Sequence, residues 1–428
     1  MPHHNVIFLS IDRLHAGYLG AYGNTWIETP NFDALAAQSA VFDRATIDTP
    51  RLELLYRSLW RGVHALRPMN FSGERRSIAA KFAEAGWHTA LVTDDSRIAN
   101  FASDYDFTNI VDISSSMSAT KKRANEIAES IEQTQAALFF AGAINQLETS
   151  QSPFFLWLHT GSLGRIWDAP LEFRQQYADE DDPEPATWSE PPNRVLPENF
   201  DPDELLTITH AYAGQVSLVD QLVGSLITAI AERGLSENTL LVCFSSRGFP
   251  LGEHYRAGPC DDALYAELTH VPLLVRGPVE LISACRSQAL VQPADIAASI
   301  LDYCRFERDP SPAGGARSPA IGRSFLPLLR GEHVNEFDRA CIADSTQQHT
   351  VVTPAWSLRV SRVPDVRPPS DEAQLDQKGF PSNSKAELFV KPDDWFEVNE
   401  VSDRCGDVVD QLRIVYDEFA LACESDEP

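Results

Sequence analysis

The chain has 428 residues, 43% of them apolar, so it is long enough for a large domain plus a smaller one and apolar enough to bury a core. Its 35 Lys and Arg residues against 62 Asp and Glu residues give a net charge of −27. Such an acidic surface excludes nucleic acid and anionic membranes as non-specific partners, because both attract positive charge.

The N-terminal residues and the cysteines indicate a cytoplasmic protein. Met1 to His4 lead straight into an apolar run, without the basic region and cleavage site of a signal peptide. No continuous apolar run approaches the ~20 residues that a membrane span needs. The seven cysteines are odd in number and form no Cys-x-x-Cys pair, which is typical of free thiols in a reducing compartment. We therefore expect free thiols and no zinc site.

The first predicted element is a strand over residues 5–12, which reads N-V-I-F-L-S-I-D and ends on Asp12. A short, continuous apolar run is typical of a strand that is buried on both faces in the middle of a parallel sheet. Such a strand brings Asp12 to the carboxyl edge of the sheet, where open α/β sheets bind their ligands. The alternative is a plain core strand whose Asp12 caps the next turn.

Further apolar runs alternate with helical patterns along the chain. The predicted strands cover residues 88–94, 154–159, 239–245 and 271–277. The predicted helices start at Thr29-Pro30 and then cover residues 52–60 (closed by Gly62), 79–86, 119–147, 205–233 and 294–301. This alternation predicts an α/β fold with a mostly parallel central sheet and helices on both of its faces.

The segments between and after these elements predict the domain organisation. Clustered Pro, Asp and Glu over residues 167–199 predict a long surface insertion, and residues 310–318 and 367–384 have the composition of loops. From Cys341 onwards, short alternating segments and a last helix over 407–422 predict a small α+β unit. We therefore expect an α/β domain over 1–338 and a C-terminal α+β subdomain over 339–428.

Several segments, in the same order along nearly the whole chain, resemble sulfatases of the alkaline-phosphatase-like superfamily. The resembling segments are residues 5–23, 29–36, 212–220, 233–239, 251–254, 271–278, 322–331 and 386–389. The resemblance implies the alkaline-phosphatase-like fold and, for an intact member, hydrolysis of a sulfuric ester.

The resemblance also implies a specific set of catalytic groups. A Cys or Ser in a Cys/Ser-x-Pro-x-Arg run is oxidised to formylglycine, whose hydrate attacks the sulfate ester. A divalent cation, usually calcium, is held by several Asp and Asn oxygens and binds the sulfate. Lys and His side chains neutralise charge and protonate the leaving group.

The nucleophile of this set is missing from the sequence. Phe42 and Gly62 align with the family from both sides without a gap, and the nucleophile position then carries Leu52. The Pro and Arg positions carry Leu54 and Tyr56. A Leu side chain has no nucleophilic atom and no heteroatom on Cβ to oxidise.

Most of the metal-binding positions are also changed. Asp12 is the only ligand that matches, since the second early Asp falls on Arg13 or Gly17 and the Asp-His-Gly run is Ser-Arg-Gly at residues 246–248. The positions of the other Lys and His residues carry Asp94, Ser96, Gly164 and Asp261, and His159 is expected to be structural. Because calcium takes six to eight oxygens, typically with several carboxylates, we expect no bound cofactor.

Two hypotheses follow for function. The first is a sulfatase-family pseudoenzyme, with an apolar plug in its former site and a role in binding or scaffolding as a homodimer or with a protein partner. Under this hypothesis Arg51 and Arg247, with Arg57, either bind an anion, lie on solvated surface or pair with the acids Glu53 and Asp261.

The second hypothesis is an active hydrolase of sulfate or phosphate esters with a rearranged site that holds calcium. Its candidate nucleophiles are Thr49, Ser58, Ser245 and Ser246, and its candidate metal ligands are Asp12, Asp94, Asp95, Asp261 and Asp262. A shifted register that uses Thr49-Pro50-Arg51 would need a deletion. This hypothesis requires carboxylates to converge beside a hydroxyl at the sheet edge.

Overall fold

The structure is a computed structural model that describes residues 5–69, 75–114, 125–278, 282, 284–306, 318–332, 337–362 and 385–424. The loop predicted at 367–384 lies outside these residues, and so do most of the loop predicted at 310–318 and the first residues of the helix predicted at 119–147.

The central element is a mixed, mostly parallel sheet of eight strands with the order β10-β2-β9-β7-β1-β5-β3-β4. Only the pairings of β9, with β2 and with β7, are antiparallel. These strands are β1 (Asn5–Ile11), β2 (Ala40–Phe42), β3 (His88–Thr93), β4 (Asn109–Asp112), β5 (Phe154–Thr160), β7 (Thr239–Phe244), β9 (Leu273–Arg276) and β10 (Cys285–Ser287). The fold class predicted from the sequence is confirmed.

Strand β1 lies in the middle of the sheet, between β7 and β5, and is buried along its whole length. Ile7 and Leu9 pack into one hydrophobic cluster, whereas Val6 and Phe8 pack into a second cluster. Because neighbouring side chains of a strand point to opposite faces, both faces of the sheet are covered. The continuous apolar run of this segment therefore fits its position.

Helices cover both faces of this sheet. The α-helices of the described residues, with α12 belonging to the C-terminal region, are α1 (Pro30–Ala36), α2 (Leu52–Arg61), α3 (Ile78–Glu84), α4 (Ser96–Ala102), α5 (Gln135–Thr149), α6 (Ser162–Arg165), α7 (Leu171–Gln175), α8 (Pro202–Glu232), α9 (Ala266–Thr269), α10 (Pro293–Tyr303), α11 (Leu326–Leu329) and α12 (Gly406–Glu424). Helix α2 ends where Gly62 adopts a φ of 65°, a left-handed conformation that glycine takes at little cost.

Within the described residues, α8 is long and apolar enough to cross a membrane by length and composition alone. However, 61% of its most apolar window is buried inside this structure, as in a core helix. Polar residues interrupt its apolar ones, so a search for an unbroken apolar run does not find it.

A second sheet follows in the C-terminal region. It is antiparallel, with β11 (Cys341–Asp344), β12 (Gln348–Val352), β13 (Trp356–Ser361) and β14 (Ala386–Val390) in sequential order. Helix α12 packs on it through a hydrophobic cluster that contains Leu358, Leu388 and Tyr416. The domain boundary proposed at 338/339 stays a prediction. A ribbon of β6 (Arg194–Val195) and β8 (Arg256–Ala257) completes the strands.

Two predicted segments were wrong in part. Helix α5 begins at Gln135, because the Thr134 side chain accepts a hydrogen bond from the backbone of Ala137 and caps the helix there. The segment predicted as a surface insertion starts in the core: Trp167 is buried, and the buried Arg174 donates to three backbone carbonyls, one of them that of Trp167. A cluster of Pro and acidic residues further along hid these two core residues.

Candidate active site

Asp12 lies where β1 ends, at the carboxyl edge of the central sheet. Its backbone N–H donates to the carbonyl of Thr160 on the neighbouring strand at 2.9 Å, and its side chain is 5% exposed. Parallel strands deliver their C-terminal residues to this edge, which is the ligand-binding edge of open α/β sheets. The sequence therefore predicted the place of Asp12 correctly.

The carboxylate of Asp12 is bound by an arginine from the next strand. Arg247, three residues after the end of β7, donates from Nε to Oδ1 at 2.9 Å and from Nη2 to Oδ2 at 2.6 Å. Its third nitrogen donates to Asp261 at 2.9 Å and to the carbonyl of Pro50 at 3.2 Å. The planar guanidinium thus uses both of its edges, in the bidentate geometry that suits a carboxylate.

Arg13 adds a second cation to the same cluster. It donates from Nη2 to the other oxygen of Asp261 at 2.5 Å and from Nη1 to the carbonyl of Pro259 at 2.8 Å. Asp12, Asp261, Arg13 and Arg247, which we call the buried ion cluster after its three buried members, hold two negative and two positive charges, and the Asp261 side chain is 42% exposed. Formal charge is therefore balanced by side chains of the chain itself.

The pKa values of the ion cluster reflect this pairing. Burial alone raises the pKa of Asp12, but the charge and hydrogen bonds of Arg247 outweigh burial and place the pKa below its ordinary value. Burial lowers the pKa of Arg247, and Asp12 with Asp261 more than compensates, so this pKa is raised. Burial lowers the pKa of Arg13, and the neighbouring Arg247 lowers it further. Asp12 is thus ionised at neutral pH.

The backbone opposite the ion cluster leaves no room for the family's histidine. A Cβ atom placed on Gly164 would lie 2.7 Å from Cγ of Arg13 and 3.4 Å from Oδ2 of Asp12. A side chain at this position would have to displace Arg13. Arg13 can therefore occupy this position because residue 164 is a glycine.

Leu52 is the first residue of α2, and it is 6% exposed. It packs in a hydrophobic cluster with the other inward-facing residues of the helix, which include Leu55, Leu59 and Trp60. Arg51, which precedes it, is exposed at the helix N-terminus. The two residues thus differ sharply: Leu52 belongs to the core, and Arg51 faces solvent.

A network of hydroxyl groups fills the space between α2 and the sheet. The Tyr56 hydroxyl lies 3.1 Å from Oγ of Ser10, 2.9 Å from Oγ of Ser246 and in hydrogen-bond contact with Nδ1 of His159. Ser10 and Ser246 also bond each other at 2.7 Å. All four residues are fully buried. The sequence predicted an apolar plug in the former active site. This prediction was wrong, because an ion cluster and a hydroxyl network occupy the site.

Burial also fixes the protonation of this network. It raises the pKa of the Tyr56 hydroxyl and lowers the pKa of His159. The tyrosine therefore keeps its proton and the imidazole is neutral at physiological pH. Neither group is an ionised nucleophile or a cation.

The candidate hydroxyls of the alternative hypothesis have other partners. Ser58 donates to Oδ2 of Asp48 at 2.6 Å, and Ser245 donates to the carbonyl of Arg247 at 2.6 Å. Thr49 is 1% exposed. Each hydroxyl thus stabilises local structure in this conformation.

Of the five candidate carboxylates, Asp12 and Asp261 meet on Arg247, and the other three have separate partners. Asp94 accepts from Thr160 at 2.7 Å and from the backbone of Gly161 at 2.8 Å, and burial raises its pKa. Asp95 caps α4 and pairs with Arg97, while Asp262 lies 3.5 Å from Arg256. In the described part of the chain, no three His, Cys, Asp or Glu side chains are arranged to hold a metal ion.

The three predicted arginines have separate roles. Arg247 pairs with Asp12 and Asp261, and Arg57 is buried and donates to the carbonyls of Arg67 and Pro68. The sequence analysis did not predict that Arg13 belongs to the ion cluster or that Tyr56 belongs to the hydroxyl network. The only available signal for Tyr56 was its position on the apolar face of α2, four residues after Leu52.

Comparison with protein-family models finds one match, to the family described as Sulfatase, over residues 4–305. Among curated proteins, the chain is 21% identical to an arylsulfatase of Clostridium perfringens over 397 residues, which cover 77% of this chain and 81% of that protein. It is 25% identical to the iduronate 2-sulfatase of Mus musculus over 413 residues, covering 78% of this chain and 72% of that protein.

Solved structures share the fold. A phosphonate monoester hydrolase of Agrobacterium radiobacter superposes with a TM-score of 0.73 at 16% identity and covers 98% of this chain and 95% of its own. A phosphonate monoester hydrolase of Silicibacter pomeroyi gives a TM-score of 0.71 at 17% identity, with coverages of 97% and 94%. At these identities the likeness concerns the architecture.

Proposed function

This chain belongs to the sulfatase family, and we propose that it is a pseudoenzyme of that family, which has lost ester hydrolysis and retains a binding role. The observation that carries the proposal is the bidentate contact between Arg247 and Asp12, the one residue that matches a metal ligand of the family.

The buried ion cluster does not fit a divalent cation. Calcium needs six to eight oxygen ligands, but both oxygens of Asp12 already accept hydrogen bonds from Arg247. Both oxygens of Asp261 accept from Arg13 and Arg247. A metal ion would also meet two guanidinium charges. Like charges about 4 Å apart repel by roughly 1 kcal/mol in water and by more in a buried site.

The nucleophile position supports the same proposal. Leu52 presents only carbon atoms at the start of α2 and is packed in the core. Covalent catalysis needs an activated oxygen, sulfur or nitrogen atom, and losing a nucleophile costs several powers of ten in rate. Two positions that are Lys in the family by resemblance carry Asp94 and Asp261, which reverses the field that a sulfate group would meet.

One observation favours the alternative of a divergent hydrolase. The Tyr56 hydroxyl contacts the hydroxyls of Ser10 and Ser246 and also Nδ1 of His159, so it connects the two serines to the imidazole. A neutral imidazole can act as a general base. All of these groups are fully buried, so a substrate would reach them only after α2 had moved. The names of the relatives, arylsulfatase and iduronate 2-sulfatase, indicate sulfuric esters as the first substrates to test.

The experiment measures metal content and turnover on the same preparation. Purified protein is analysed for bound divalent metals and assayed with an aryl sulfate and an aryl phosphate, with and without added calcium. The arylsulfatase of Clostridium perfringens serves as the positive control. We expect no stoichiometric metal and no turnover above buffer from protein that melts cooperatively. About one divalent ion per chain together with chelator-sensitive turnover would overturn the proposal and favour the divergent hydrolase.

A further inference from the structure

We propose that the protein binds a tetrahedral oxyanion, sulfate or phosphate, in a second pocket that lies between the central domain and the C-terminal antiparallel sheet. This junction pocket has a volume of about 170 Å³ and is lined by polar side chains that include His254, Arg256, Tyr265, Arg359, Lys385 and Glu387. A water molecule takes about 30 Å³ in the liquid, so the pocket has room for several waters or a small anion.

The lining of the junction pocket is mainly cationic. Arg256, Arg359 and Lys385 carry positive charge, and Glu387 is the one acidic side chain among the described residues that line the pocket. Both Arg359 and Lys385 pair with this Glu387. The chain has a net charge of −27, and a concave cationic surface on it would concentrate anions locally.

Arg359 is held rigidly at the wall of the pocket. It is 8% exposed, its Nη2 donates to the Tyr265 hydroxyl at 2.6 Å, and its guanidinium lies 4.0 Å from the centre of the Tyr265 ring. Its Nε is buried and has no hydrogen-bond acceptor among the described residues. Its contacts to Tyr265 and Glu387 hold the guanidinium charge at a fixed place in the pocket lining, where it attracts an anion.

His254 lines the same pocket as part of a hydrogen-bonded pair with Glu267. Its ring stacks on Tyr265 at 3.6 Å, with Nδ1 2.9 Å from Oε1 of Glu267 and Nε2 3.0 Å from the carbonyl of Glu397. The carbonyl of Glu397 accepts from Nε2, and Nδ1 shares one proton with the carboxyl group of Glu267, whose own pKa burial raises. Burial lowers the pKa of His254, but Glu267 outweighs burial and the pKa is raised. His254 and Glu267 together therefore add no net charge to the lining.

Arg256 is the cation of the pocket with the longest contact to a carboxylate. Its side chain is 22% exposed, and its nearest carboxylate is Asp262 at 3.5 Å, which is itself 50% exposed. A contact of this length on the surface is weak, so Arg256 can turn towards an anion at little cost. Together with Arg359, it offers planar donor groups that match the oxygens of sulfate or phosphate.

This inference does not depend on the loss of hydrolysis. The junction pocket shares no lining residue with the buried ion cluster. Anion binding can therefore fail while the pseudoenzyme proposal stands, and turnover can be found while anion binding also holds.

The test is calorimetric titration of the full chain with sodium sulfate and with sodium phosphate, at low ionic strength and with sodium chloride as the control salt. We expect saturable binding of one oxyanion per chain and no saturable binding of chloride. Arg256→Gln removes a charged donor and is expected to weaken this binding about tenfold. Arg76→Gln, which changes an exposed arginine paired with Glu84, is expected to leave binding unchanged.

The titrations also compare the affinities of sulfate and phosphate. The anion that binds more tightly indicates whether a sulfate or a phosphate ester should be tested next as a ligand. A second variant, Lys385→Gln, tests the proposal if Arg256→Gln does not fold. Its side chain is 58% exposed, so the variant should fold, and it should also weaken oxyanion binding because Lys385 lines the pocket. The proposal is overturned by a lack of saturable binding, by chloride binding as well as the oxyanions, or by equal weakening in the Arg256 and Arg76 variants.

Discussion

Arg247 and Asp12 are 235 residues apart in the chain and form a fork-to-fork ion pair at the centre of the sheet edge, with bonds of 2.9 and 2.6 Å. Removing two charges from water is costly, and their mutual attraction repays this cost only when geometry is good and other hydrogen bonds complete the set. Here Asp261 and the carbonyl of Pro50 supply those further bonds.

The first prediction concerns the stability that depends on this pair. Arg247→Gln leaves Asp12 as a buried carboxylate with only Arg13 nearby, so we expect the free energy of unfolding to fall by about 3–5 kcal/mol in urea denaturation. Asp12→Asn combined with Arg247→Gln should cost less than the sum of the two single changes. The control is Arg76→Gln, which breaks a pair with Glu84 in which both side chains are exposed and should cost under about 1 kcal/mol. Equal costs for Arg247→Gln and the control would contradict the prediction.

The second prediction concerns the nucleophile position. Leu52→Ser restores a hydroxyl at the start of α2, but Arg247 still occupies both oxygens of Asp12. We therefore expect no turnover of an aryl sulfate above that of the unchanged protein, measured on a preparation whose melting curve remains cooperative. Chelator-sensitive hydrolysis by this variant would mean that the ion cluster opens to metal, contrary to our reading.

The third prediction concerns the hydroxyl network. Tyr56→Phe removes the group that joins His159 to the two serines and leaves Nδ1 of His159 buried without that partner. We expect a loss of about 1–3 kcal/mol in the free energy of unfolding, because an unsatisfied buried polar group costs this much. Tyr255→Phe is the matched control, since Tyr255 is 53% exposed and should change stability by less than about 0.5 kcal/mol.

The fourth prediction concerns Asp48, which lies just before α2 and is fully buried. Its Oδ2 accepts from Ser58 and from the backbone of Ala65, while Oδ1 has no partner among the described residues. Burial raises the pKa of Asp48 to about 7. The folded state therefore holds the proton more tightly than the unfolded chain, and stability should fall as pH rises from about 4 to about 7.

Asp48→Asn removes this pH dependence. Compared with the unchanged protein, the variant should gain on the order of 2–4 kcal/mol of relative stability between pH 4 and pH 8, measured by urea unfolding at each pH. The control is Asp95→Asn. Burial raises the pKa of Asp95, but Arg97 outweighs burial and lowers it to about 2. Its contribution is lost only below about pH 4, so its difference should stay flat from pH 5 to pH 8.

Local signals in the sequence were sufficient for the elements around the site. The unbroken apolar run before Asp12 predicted a central strand, and Gly62 marked the end of α2 because few residues other than glycine adopt a φ of 65° easily. The short strands β2, β4 and β10 were not predicted, since three or four residues carry too little periodicity.

The contacts inside the site could not be predicted in the same way. The sequence analysis singled out both Arg247 and Asp12. It could not decide whether Arg247 binds an anion or pairs with a carboxylate, because that depends on a contact across 235 residues. The Tyr56 and His159 contact spans 103 residues, and a helical pattern gives the inward face of Tyr56 without naming the group it meets. Side-chain partners across a sheet are set by tertiary packing, which no local pattern encodes.

The arginine at the centre of the ion cluster differs from a metal ion in one further respect. A bound ion stabilises a protein by mass action, so its contribution follows the free concentration of that ion. Arg247 is part of the chain, so the positive charge that faces Asp12 does not depend on the concentration of any ion. The melting temperature of this protein should accordingly be the same in chelator as in millimolar calcium, and its folding should be indifferent to the calcium supply of the surrounding medium.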